Sequence, residues 1–429
     1  MSREVVAENI SRIEGLLNFT MIIKDHEVID ARAEALEGVR LLERLLVGKK
    51  YHEIPEIASR MCGVCQAIHK VTAVQAVENA FNIELPEEIN MLRKLIVIGG
   101  HLQSHLLHLY MFVLPDFLGY HSILEMLPSH AELIRKVMYL RKLANVITEL
   151  IGGRAVHPVT PIVGGLSKLP SENALRRALD YAKEFKNTIY TVLEDILSID
   201  MPSFERRTNY VSLKGEHEFP LLGGNVSINS EVIFKPAEYE DYIKFVTVEY
   251  STARHYVLKK IGREYMVGAL ARVNNNFKLL SDTTKELIKT YSLQFPSYRP
   301  FDNNKAQALE LLHFVEEAIY ILERLKGNIP RKRKASFKVN EGKGISITEA
   351  PRGLLIHHYE INNQGLVEKA NIITPTAQNY KCMEADVKDY ITRLIQTSDK
   401  KWDIKFEAEK LIRAYDPCVS CSARFLRQH

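Results

Sequence analysis

Four of the five cysteines in this chain form two Cys-x-x-Cys pairs, the arrangement in the sequence best suited to chemistry. The first pair is Cys62 and Cys65 in RMCGVC, and the second pair is Cys418 and Cys421 in DPCVSC. Together they offer four thiolates, the number that a tetrahedral soft-metal site uses. The fifth cysteine, Cys382, stands alone and is expected to be a packed, unreactive thiol.

The distance between the two pairs leaves three kinds of site open. Residues 66 to 417 lie between them, whereas the pairs of a zinc ribbon lie about 15–20 residues apart. A structural zinc, another metal, and two separate redox pairs remain alternatives on spacing alone. A metal shared by both pairs would join the two ends of the chain inside a large body. That placement favours a buried reactive metal over a small structural clip.

Composition excludes several other classes of protein. The 429 residues carry a net charge of +4, which is too small and too evenly spread to indicate nucleic-acid binding. The densest basic run, PRKRK at 330–334, is interpreted as a solvated surface loop, with a docking patch for an acidic partner as the alternative. The N-terminus has no apolar signal region, and no stretch reaches the ~18 apolar residues of a membrane helix. We therefore expect a cytoplasmic chain with no direct membrane span.

The elements that must position the cysteines are mainly helical. Apolar periodicity predicts an α+β, mainly helical fold, a long-helix bundle with small β elements near both ends, in one domain over 1–429. Within it the expected segments run in this order: a β hairpin over 1–36, helices over 37–206, β or irregular structure over 207–235, helices over 236–343, β over 344–375, and helices with the second cysteine pair over 376–429.

Several helix boundaries follow from local signals. The apolar stretch from 90 onwards predicts a long buried helix that stops before Pro115. Ser129, with Glu132 three residues later, predicts a capped helix start, and Gly152 predicts its end. Ser171 predicts the start of another long amphipathic helix.

Nine short motifs, taken in order, resemble the large catalytic subunit of nickel–iron hydrogenases. They cover nearly the whole chain, and although each is weak alone, nine in this order are specific. The closest resemblance is to the cytoplasmic, nucleotide-linked and sulfhydrogenase-like branch, which implies a hydrogenase large-subunit-like fold. The motifs are RIEG (12–15), EGVRLLE (37–43), RMCGVC (60–65), HLQSHLLHLY (101–110), GGRAVHP (152–158), GG with KLP (164–170), EAPRG (349–353), TPT (374–376) and DPCVSC (416–421).

The resemblance implies a nickel held by both cysteine pairs. Cys65 and Cys421, the second cysteine of each pair, would bridge to an iron that carries carbon monoxide and cyanide in the family. Soft, electron-rich thiolates suit a nickel that cycles between oxidation states. Dihydrogen would be cleaved heterolytically, with Cys418 as the base and Glu14 of RIEG passing the proton onward.

The resemblance also assigns residues around that centre. Arg352 would lie over the iron and donate to cyanide, Pro351 would pack against the same diatomic ligands, and Thr376 would donate to the other cyanide. Asp416, two residues before Cys418, could pair with Arg352. His69 would support the first cysteine pair by a hydrogen bond.

Magnesium is the one cofactor that the motifs leave uncertain. Glu43 matches a glutamate that binds a structural magnesium in relatives, with the carbonyl of Ile372 as another ligand, and such oxygen ligands suit the ion. Many relatives place a histidine ligand where this chain has Arg424, and a guanidinium cannot replace it. We therefore expect that magnesium is missing, or that water completes its coordination shell. The sequence does not decide whether the tail after Arg424 is cleaved.

Histidines and a serine on one predicted helix bear on the same region. His101, His105 and His108 share a helix face, and packing with hydrogen bonding is favoured over a metal site. Ser104 stands where many respiratory relatives have an aspartate that can neutralise the arginine matched by Arg352. That difference favours the cytoplasmic branch.

The expected function is that of a catalytic hydrogenase subunit that depends on partners. Electrons would pass to an iron–sulfur small subunit and then, through a flavin-containing NAD(P)- or ferredoxin-linked diaphorase, to a soluble carrier. Two alternatives remain open: the large subunit of a membrane-anchored energy-converting hydrogenase, and a non-catalytic scaffold subunit stabilised by zinc. Electron acceptor, electron bifurcation, direction bias, oxygen tolerance and the number of partner subunits are not determined by the sequence.

Overall fold

The computed structural model describes residues 3–36, 41–397 and 402–423. Helices form most of the body within these ranges, and small sheets flank it. The α-helices, in chain order, are α1 Leu42–Leu46, α2 Ile54–Ser59, α3 Gln66–Ala80, α4 Glu87–Leu107, α5 Leu114–Leu118, α6 Ile123–Gly152, α7 Glu172–Leu197, α8 Tyr239–Tyr242, α9 Ala269–Asn276, α10 Asp282–Thr290, α11 Asp302–Leu325, α12 Pro375–Thr397, α13 Ile404–Ala414 and α14 Val419–Ser422.

The strands form five separate sheets within the same ranges. Their orders are β1-β2-β3, β4-β5, β11-β6-β7-β8, β10-β9 and β12-β13-β14. The strands are β1 Arg3–Ala7, β2 Leu17–Lys24, β3 Glu27–Ala35, β4 Pro161–Ile162, β5 Gly165–Leu166, β6 Asn209–Lys214, β7 Asn225–Ile228, β8 Val232–Phe234, β9 Ile243–Val246, β10 His255–Leu258, β11 Tyr265–Met266, β12 Gly342–Ala350, β13 Gly353–Ile361 and β14 Val367–Ile373. This mainly helical α+β architecture is the fold class that the sequence predicts.

The apolar core joins the two ends of the chain. Its main cluster of buried side chains extends from Ala7 in β1 to Cys421 in α14. A smaller cluster, which includes Val211, Ile347 and Leu354, lies among the later sheets. That the chain forms one domain stays a prediction, and the extent of the main cluster favours it.

The N-terminal sheet contains the predicted hairpin and one further strand. β2 and β3 pair antiparallel, and the turn between Lys24 and Glu27 places Asp25 and His26 in the left-handed region, at φ of 50° and 63°. All residues of β1 pair antiparallel with β2, along the edge that β3 does not occupy. The short alternating stretch of β1 gives a weak signal alone, because its pairing depends on β2.

The sheet β12-β13-β14 lies directly beside the helix that follows the first cysteine pair. Its strands agree with the predicted β segment over 344–375, except that β12 begins two residues earlier, at Gly342. Helix α3 packs against β12, and glycine allows the close approach. A Cβ atom at Gly344 would lie only 1.9 Å from the carbonyl oxygen of Ala76. The sheet therefore fixes α3, which begins one residue after Cys65.

The long helix predicted to stop before Pro115 continues past it. After α4 ends at Leu107 the chain forms a π-helical segment, His108–Val113, and then α5, in which Pro115 lies in the first turn. A proline in the first turn of a helix lacks an N–H that would be unpaired there anyway. The π-helical turn thus restarts the helix, and the predicted stop is wrong.

The predicted start of the next helix is also wrong, whereas its end is right. α6 begins after Ser122, whose side chain accepts a hydrogen bond from the N–H of Glu125, and a kink at His130 follows the expected cap at Ser129. The helix ends at Gly152, and Gly153 adopts a left-handed φ of 77°. Ser171 caps α7 as predicted, by accepting from the N–H of Ala174.

The segment predicted as helical over 236–343 contains strands in its first third. Only the short α8 and a 3₁₀ turn precede β9 and β10, which pair antiparallel with His255 opposite Val246. The sequences IKFV and HYVL are rich in β-branched and aromatic residues, which fit a pleated surface. Their cross-strand pairing outweighs the helical signal, and the helical prediction holds only from α9 onwards.

Among the helices of the described ranges, none combines the length and continuous apolar character needed to cross a bilayer.

The tight contact at Gly344 gives a prediction for stability. We expect Gly344→Ala to lower the free energy of unfolding by about 1–3 kcal/mol, because the added methyl group must displace α3 from β12. Denaturant unfolding followed by circular dichroism measures the change. The matched control is Lys343→Ala on the same strand, an exposed position where we expect a change within about 0.5 kcal/mol. Equal effects of the two substitutions would contradict the prediction.

Candidate metal centre

The first cysteine pair lies in the loop that connects α2 to α3. Cys65 is the residue at the N-terminal boundary of α3. The sulfur of Cys62 accepts hydrogen bonds from the backbone N–H groups of Val64 and Cys65, at 3.2 and 3.3 Å. These bonds turn the loop back on itself and direct both sulfurs to one side.

The second cysteine pair lies at the short helix α14, near the opposite end of the chain. Cys418 precedes the helix and Cys421 lies within it. The backbone N–H of Cys418 donates to Oγ1 of Thr376 at 2.9 Å, which anchors the pair to α12. Asp416, two residues earlier, adopts a left-handed φ of 51° and turns the chain into the site.

The fold brings the two cysteine pairs together. The Sγ atoms of Cys62 and Cys418 lie 3.4 Å apart, and those of Cys65 and Cys421 lie 3.5 Å apart. All four sulfurs lie within 4.8 Å of one another, and all four residues are buried. Two independent redox pairs would not need this convergence, whereas a shared metal site would.

The four buried sulfurs form a donor set that suits a metal cation. Hydrogen bonding from neighbouring thiols, led by Cys418, holds the pKa of Cys62 well below its usual value. Hydrogen bonding with Cys421, together with burial, raises the pKa of Cys418 well above it. Four thiolates cannot be buried together without compensating positive charge, and soft sulfur donors select a transition metal. The donor set therefore fits the metal pair that the sequence motifs imply.

Arg352 and Asp416 form a buried ion pair beside the sulfurs. Nη2 of Arg352 lies 2.7 Å from Oδ1 of Asp416, and its Nε donates to the Asp416 carbonyl at 2.6 Å. The charge of Asp416, followed by those of the cysteine sulfurs, overcomes the effect of burial and raises the pKa of Arg352. Its Nη1 is buried without a hydrogen-bond partner among the described residues. A buried, unpaired donor at this place fits an acceptor bound at the centre.

Glu14 contacts the second cysteine pair from the N-terminal segment. Its backbone forms a parallel β-bridge with Cys418, and Val419 donates its N–H to the Glu14 carbonyl at 2.8 Å. The Sγ of Cys418 lies 3.0 Å from Oε2 of Glu14, within reach of a proton transfer. The side-chain hydroxyl of Ser420 donates to Oε1 of the same carboxylate. Sequence motifs had placed Glu14 at the site, whereas Ser420 was missed, although it lies between the two cysteines of DPCVSC.

The other residues expected near the diatomic ligands have contacts of their own. Thr376 accepts from the Cys418 N–H through its hydroxyl oxygen, so the hydroxyl proton is left to donate elsewhere. Pro351 is buried in the turn before Arg352, and its carbonyl oxygen accepts from Nη2 of Arg272 at 3.0 Å. Their contacts with diatomic ligands stay predictions.

His69 lies beside the second cysteine pair rather than only beside the first. Its Nε2 is 3.8 Å from the Sγ of Cys421, and its Nδ1 is 3.1 Å from Nε2 of His357. His357 in turn contacts the hydroxyl of Tyr359 at 2.6 Å. The structure thus adds a contact with Cys421, a residue distant in sequence and adjacent only in the fold, and the expected support of the first pair stays a prediction.

Glu43 and Ile372 are neighbours in the structure. Oε1 of Glu43 accepts a hydrogen bond from the backbone N–H of Ile372 at 2.8 Å. The expected magnesium contact at Ile372 uses its carbonyl oxygen, so magnesium binding stays a prediction. Arg424, on which the completeness of that site depends, lies outside the described residues.

The three histidines of α4 and the π-helical segment bond to protein groups. His105 contacts Oε2 of Glu310 at 2.9 Å, and His108 contacts Oε1 of Gln307 at 2.6 Å and the Arg413 carbonyl at 2.7 Å. Nδ1 of His101 lies 3.0 Å from the carbonyl oxygen of Val97, four residues earlier. Burial lowers the pKa of His101 to about 3, so it is neutral near pH 7. Packing and hydrogen bonding were the favoured interpretation, and these contacts agree with it.

Comparison with solved structures gives the class of fold. The crystal structure of an NAD+-reducing [NiFe]-hydrogenase in the H2-reduced state superposes with a TM-score of 0.89, covering 98% of this chain and 99% of that chain at 23% identity. At that identity the likeness shows the fold, which is that of a hydrogenase large subunit.

Comparison with sequences gives the family. A family model described as nickel-dependent hydrogenase matches residues 40–139 and 247–424. The sulfhydrogenase 1 subunit alpha of Pyrococcus furiosus is 36% identical over 99% of this chain and 98% of its own length, and the sulfhydrogenase 2 subunit alpha is 32% identical over 98% of each. This chain belongs to the nickel-dependent hydrogenases and is the catalytic large subunit of a [NiFe]-hydrogenase, an oxidoreductase that acts on dihydrogen.

The convergence of the cysteine pairs predicts how metal content responds to substitution. We expect Cys65→Ser and Cys421→Ser each to abolish retention of nickel and iron, because a hydroxyl is a harder and less acidic ligand than a thiol. Inductively coupled plasma mass spectrometry of the purified protein measures both metals.

Cys382→Ser is the matched control. Burial raises the pKa of Cys382 to about 12, and its sulfur is hydrogen-bonded by Arg206, Thr208 and Tyr415. The control should therefore keep full metal content. Loss of metal from Cys382→Ser, or its retention by either of the other variants, would contradict the assignment.

Proposed function

We propose that this subunit cleaves dihydrogen heterolytically at a centre held by the two cysteine pairs, with Cys418 as the proton acceptor and Glu14 as the next carrier. The 3.0 Å contact between Sγ of Cys418 and Oε2 of Glu14 is the observation that carries the proposal. The nickel–iron pair, with the carbon monoxide and cyanide ligands that its family implies, supplies the redox chemistry when bound. The protein residues supply the base, the proton exit and the donors around the centre.

The proton exit follows from the position of Glu14. The second cysteine pair is wholly buried, so a proton held by Cys418 needs a carrier to leave the site. Glu14 is only half-buried and lies in a loop that joins two strands of the N-terminal sheet. The hydroxyl and N–H of Ser420 donate to its two oxygens and hold the carboxylate against the sulfur. A carboxylate so placed can accept a proton on one side and release it on the other.

The remaining assignments concern groups that surround the centre. Arg352 would donate through Nη1 to a diatomic ligand while Asp416 holds its other side. Pro351 would pack against the same ligands, and Thr376 would donate its free hydroxyl proton to the other cyanide. His69 would tune the sulfur of Cys421. Glu43 and the Ile372 carbonyl would bind magnesium, with water completing the shell.

The cysteine content of the chain indicates that electrons leave through another protein. Four of the five cysteines belong to the centre, which leaves only Cys382 and thus no set of ligands for an iron–sulfur cluster. An iron–sulfur small subunit is the expected first acceptor, with flavin-containing NAD(P)- or ferredoxin-linked diaphorase subunits after it. The similarity to a solved NAD+-reducing hydrogenase and to two sulfhydrogenase alpha subunits supports this route. The cytoplasm is the location that we propose for the complex, as the sequence predicts.

Purification of the complex from its native host separates this proposal from its alternatives. Nickel and iron near one each, with infrared absorption from bound carbon monoxide and cyanide, support the hydrogenase centre, whereas zinc alone would support a scaffold. Co-purification with a flavin subunit supports a soluble acceptor. Co-purification with integral membrane subunits would instead support the energy-converting alternative.

The proton route predicts a selective loss of activity in Glu14→Gln. The amide keeps the size of the side chain but cannot carry the proton, so we expect dihydrogen oxidation to fall by roughly 100-fold or more. Nickel and iron content and the infrared bands should stay unchanged, because Glu14 holds no metal. Activity is measured as the rate of reduction of an artificial acceptor.

Glu8→Gln serves as the control, since Glu8 is exposed on the same N-terminal segment and should leave the rate unchanged. Wild-type turnover in Glu14→Gln would rule out this exit.

A further inference from the structure

Three polar side chains share one buried face of α11. Asn303, Gln307 and Glu310 are four and three residues apart, a spacing that places side chains on the same side of a helix. Each is almost completely buried. Burying polar groups costs free energy unless each group finds partners, so their contacts show what this face is for.

The first two side chains hold the segment that leads into the second cysteine pair. Nδ2 of Asn303 donates to the carbonyl of Ala414 at 2.8 Å. Nε2 of Gln307 donates to Oδ2 of Asp416 at 3.2 Å, while Oδ1 of the same carboxylate lies 2.7 Å from Nη2 of Arg352. Gln307 therefore holds the carboxylate of Asp416, the counter-ion of Arg352, through the oxygen that Arg352 does not bind.

Glu310 acts on the backbone next to Arg352 indirectly, because it binds Arg272 of α9. Its two carboxylate oxygens accept from Nε and Nη2 of Arg272, at 2.6 and 2.7 Å. The three remaining N–H groups of Arg272 are donated to Oε2 of Glu349 and to the carbonyl oxygens of Ala350 and Pro351, at 3.0, 2.8 and 3.0 Å. All five donors of this guanidinium are thus used, and its orientation is fixed.

The two carbonyl groups that Arg272 holds are those of the residues directly before Arg352. β12 ends at Ala350 and β13 begins at Gly353, so Pro351 and Arg352 form the whole turn between the strands. Arg272 therefore restrains the backbone of that turn. The direction of Nη1 of Arg352, the donor without a partner among the described residues, depends on the restrained turn and on the anchored carboxylate of Asp416.

We propose that Arg272 and Gln307 are positioning residues that direct the guanidinium of Arg352 towards the metal centre. They act through Arg352 and Asp416. The inference rests on the proposed role of Arg352 at the centre, and the experiment below separates the two.

The test is a double-mutant cycle in the assembled enzyme. Arg272→Lys keeps the charge but cannot span Glu310 and the two carbonyl groups, because an ammonium lacks the planar fork of a guanidinium. We expect turnover to fall by roughly 100-fold, since a displacement of about 1 Å has effects of that order. The infrared bands of cyanide should shift in Arg272→Lys and in Arg352→Lys, with metal content kept. The turnover of the double variant should be no lower than that of Arg352→Lys, because both substitutions remove the same interaction.

Arg93→Lys is the matched control for general damage. Arg93 is buried like Arg272, binds both oxygens of Glu78 at 2.7 Å, and donates to the carbonyl groups of Ile162 and Gly165 at 3.0 and 2.9 Å. Its loss should lower the melting temperature as Arg272→Lys does. Turnover and the cyanide bands should stay unchanged, because this network does not reach Arg352.

Distinct outcomes would overturn the inference. Unshifted bands in Arg272→Lys, or a double variant whose loss is the product of the two single losses, would show that Arg272 does not act through Arg352. If Arg272→Lys fails to assemble, Gln307→Met decides, with shifted bands expected and unshifted bands overturning the proposal. If Arg352→Lys itself changes neither bands nor turnover, the proposed role of Arg352 fails and the positioning role fails with it.

Discussion

The convergence of four buried sulfurs from opposite ends of the chain is the constraint on which the rest of the structure depends. The segment around Glu14 and the segment from Pro417 to Val419 are joined by backbone hydrogen bonds, so the N-terminal sheet and α14 close on each other. Near the same junction, Arg413 forms a bidentate pair with Asp116, at 2.6 and 3.0 Å. Because more than 350 residues separate the two pairs, the folded body between them holds the sulfurs together. Metal binding at such a site adds its free energy to the folded state alone.

Burial of the sulfurs determines which charges can stand beside them. A buried ion is tolerated only when it is paired and its remaining groups are hydrogen-bonded. Arg352 balances the thiolates, Asp416 balances Arg352, and Gln307 satisfies the second oxygen of Asp416. The series ends in Gln307, a neutral side chain of α11. Nη1 of Arg352, which has no hydrogen-bond partner in the described part of the chain, is the exception, and an acceptor bound at the centre would satisfy it.

Local sequence patterns were sufficient to predict the cysteine pairs, the strands over 344–375 and the helix cap at Ser171, because each of these features depends on neighbours in sequence. They failed where tertiary contacts decide, as at β9 and β10, whose pairing prevails over helical periodicity. They also failed at Pro115, where a π-helical turn absorbs the proline. Arg272 and Gln307 were missed because their side-chain partners are 38 to 199 residues away. The available signal was the set of polar residues Asn303, Gln307 and Glu310 on one face of α11.

The two cysteine pairs differ in the solvent exposure of the residues that lie between their cysteines. Residues 418 to 421 are all buried, and the half-buried carboxylate of Glu14 contacts the sulfur of Cys418. In the first pair Gly63 is exposed and Val64 is half-buried, so the loop between its cysteines reaches the surface. Electron transfer to a partner needs a close approach to the metal, whereas proton transfer needs a chain of groups that ionise. The exposed loop between Cys62 and Cys65 suits the approach of a partner protein, and the carboxylate beside the second pair suits the release of a proton.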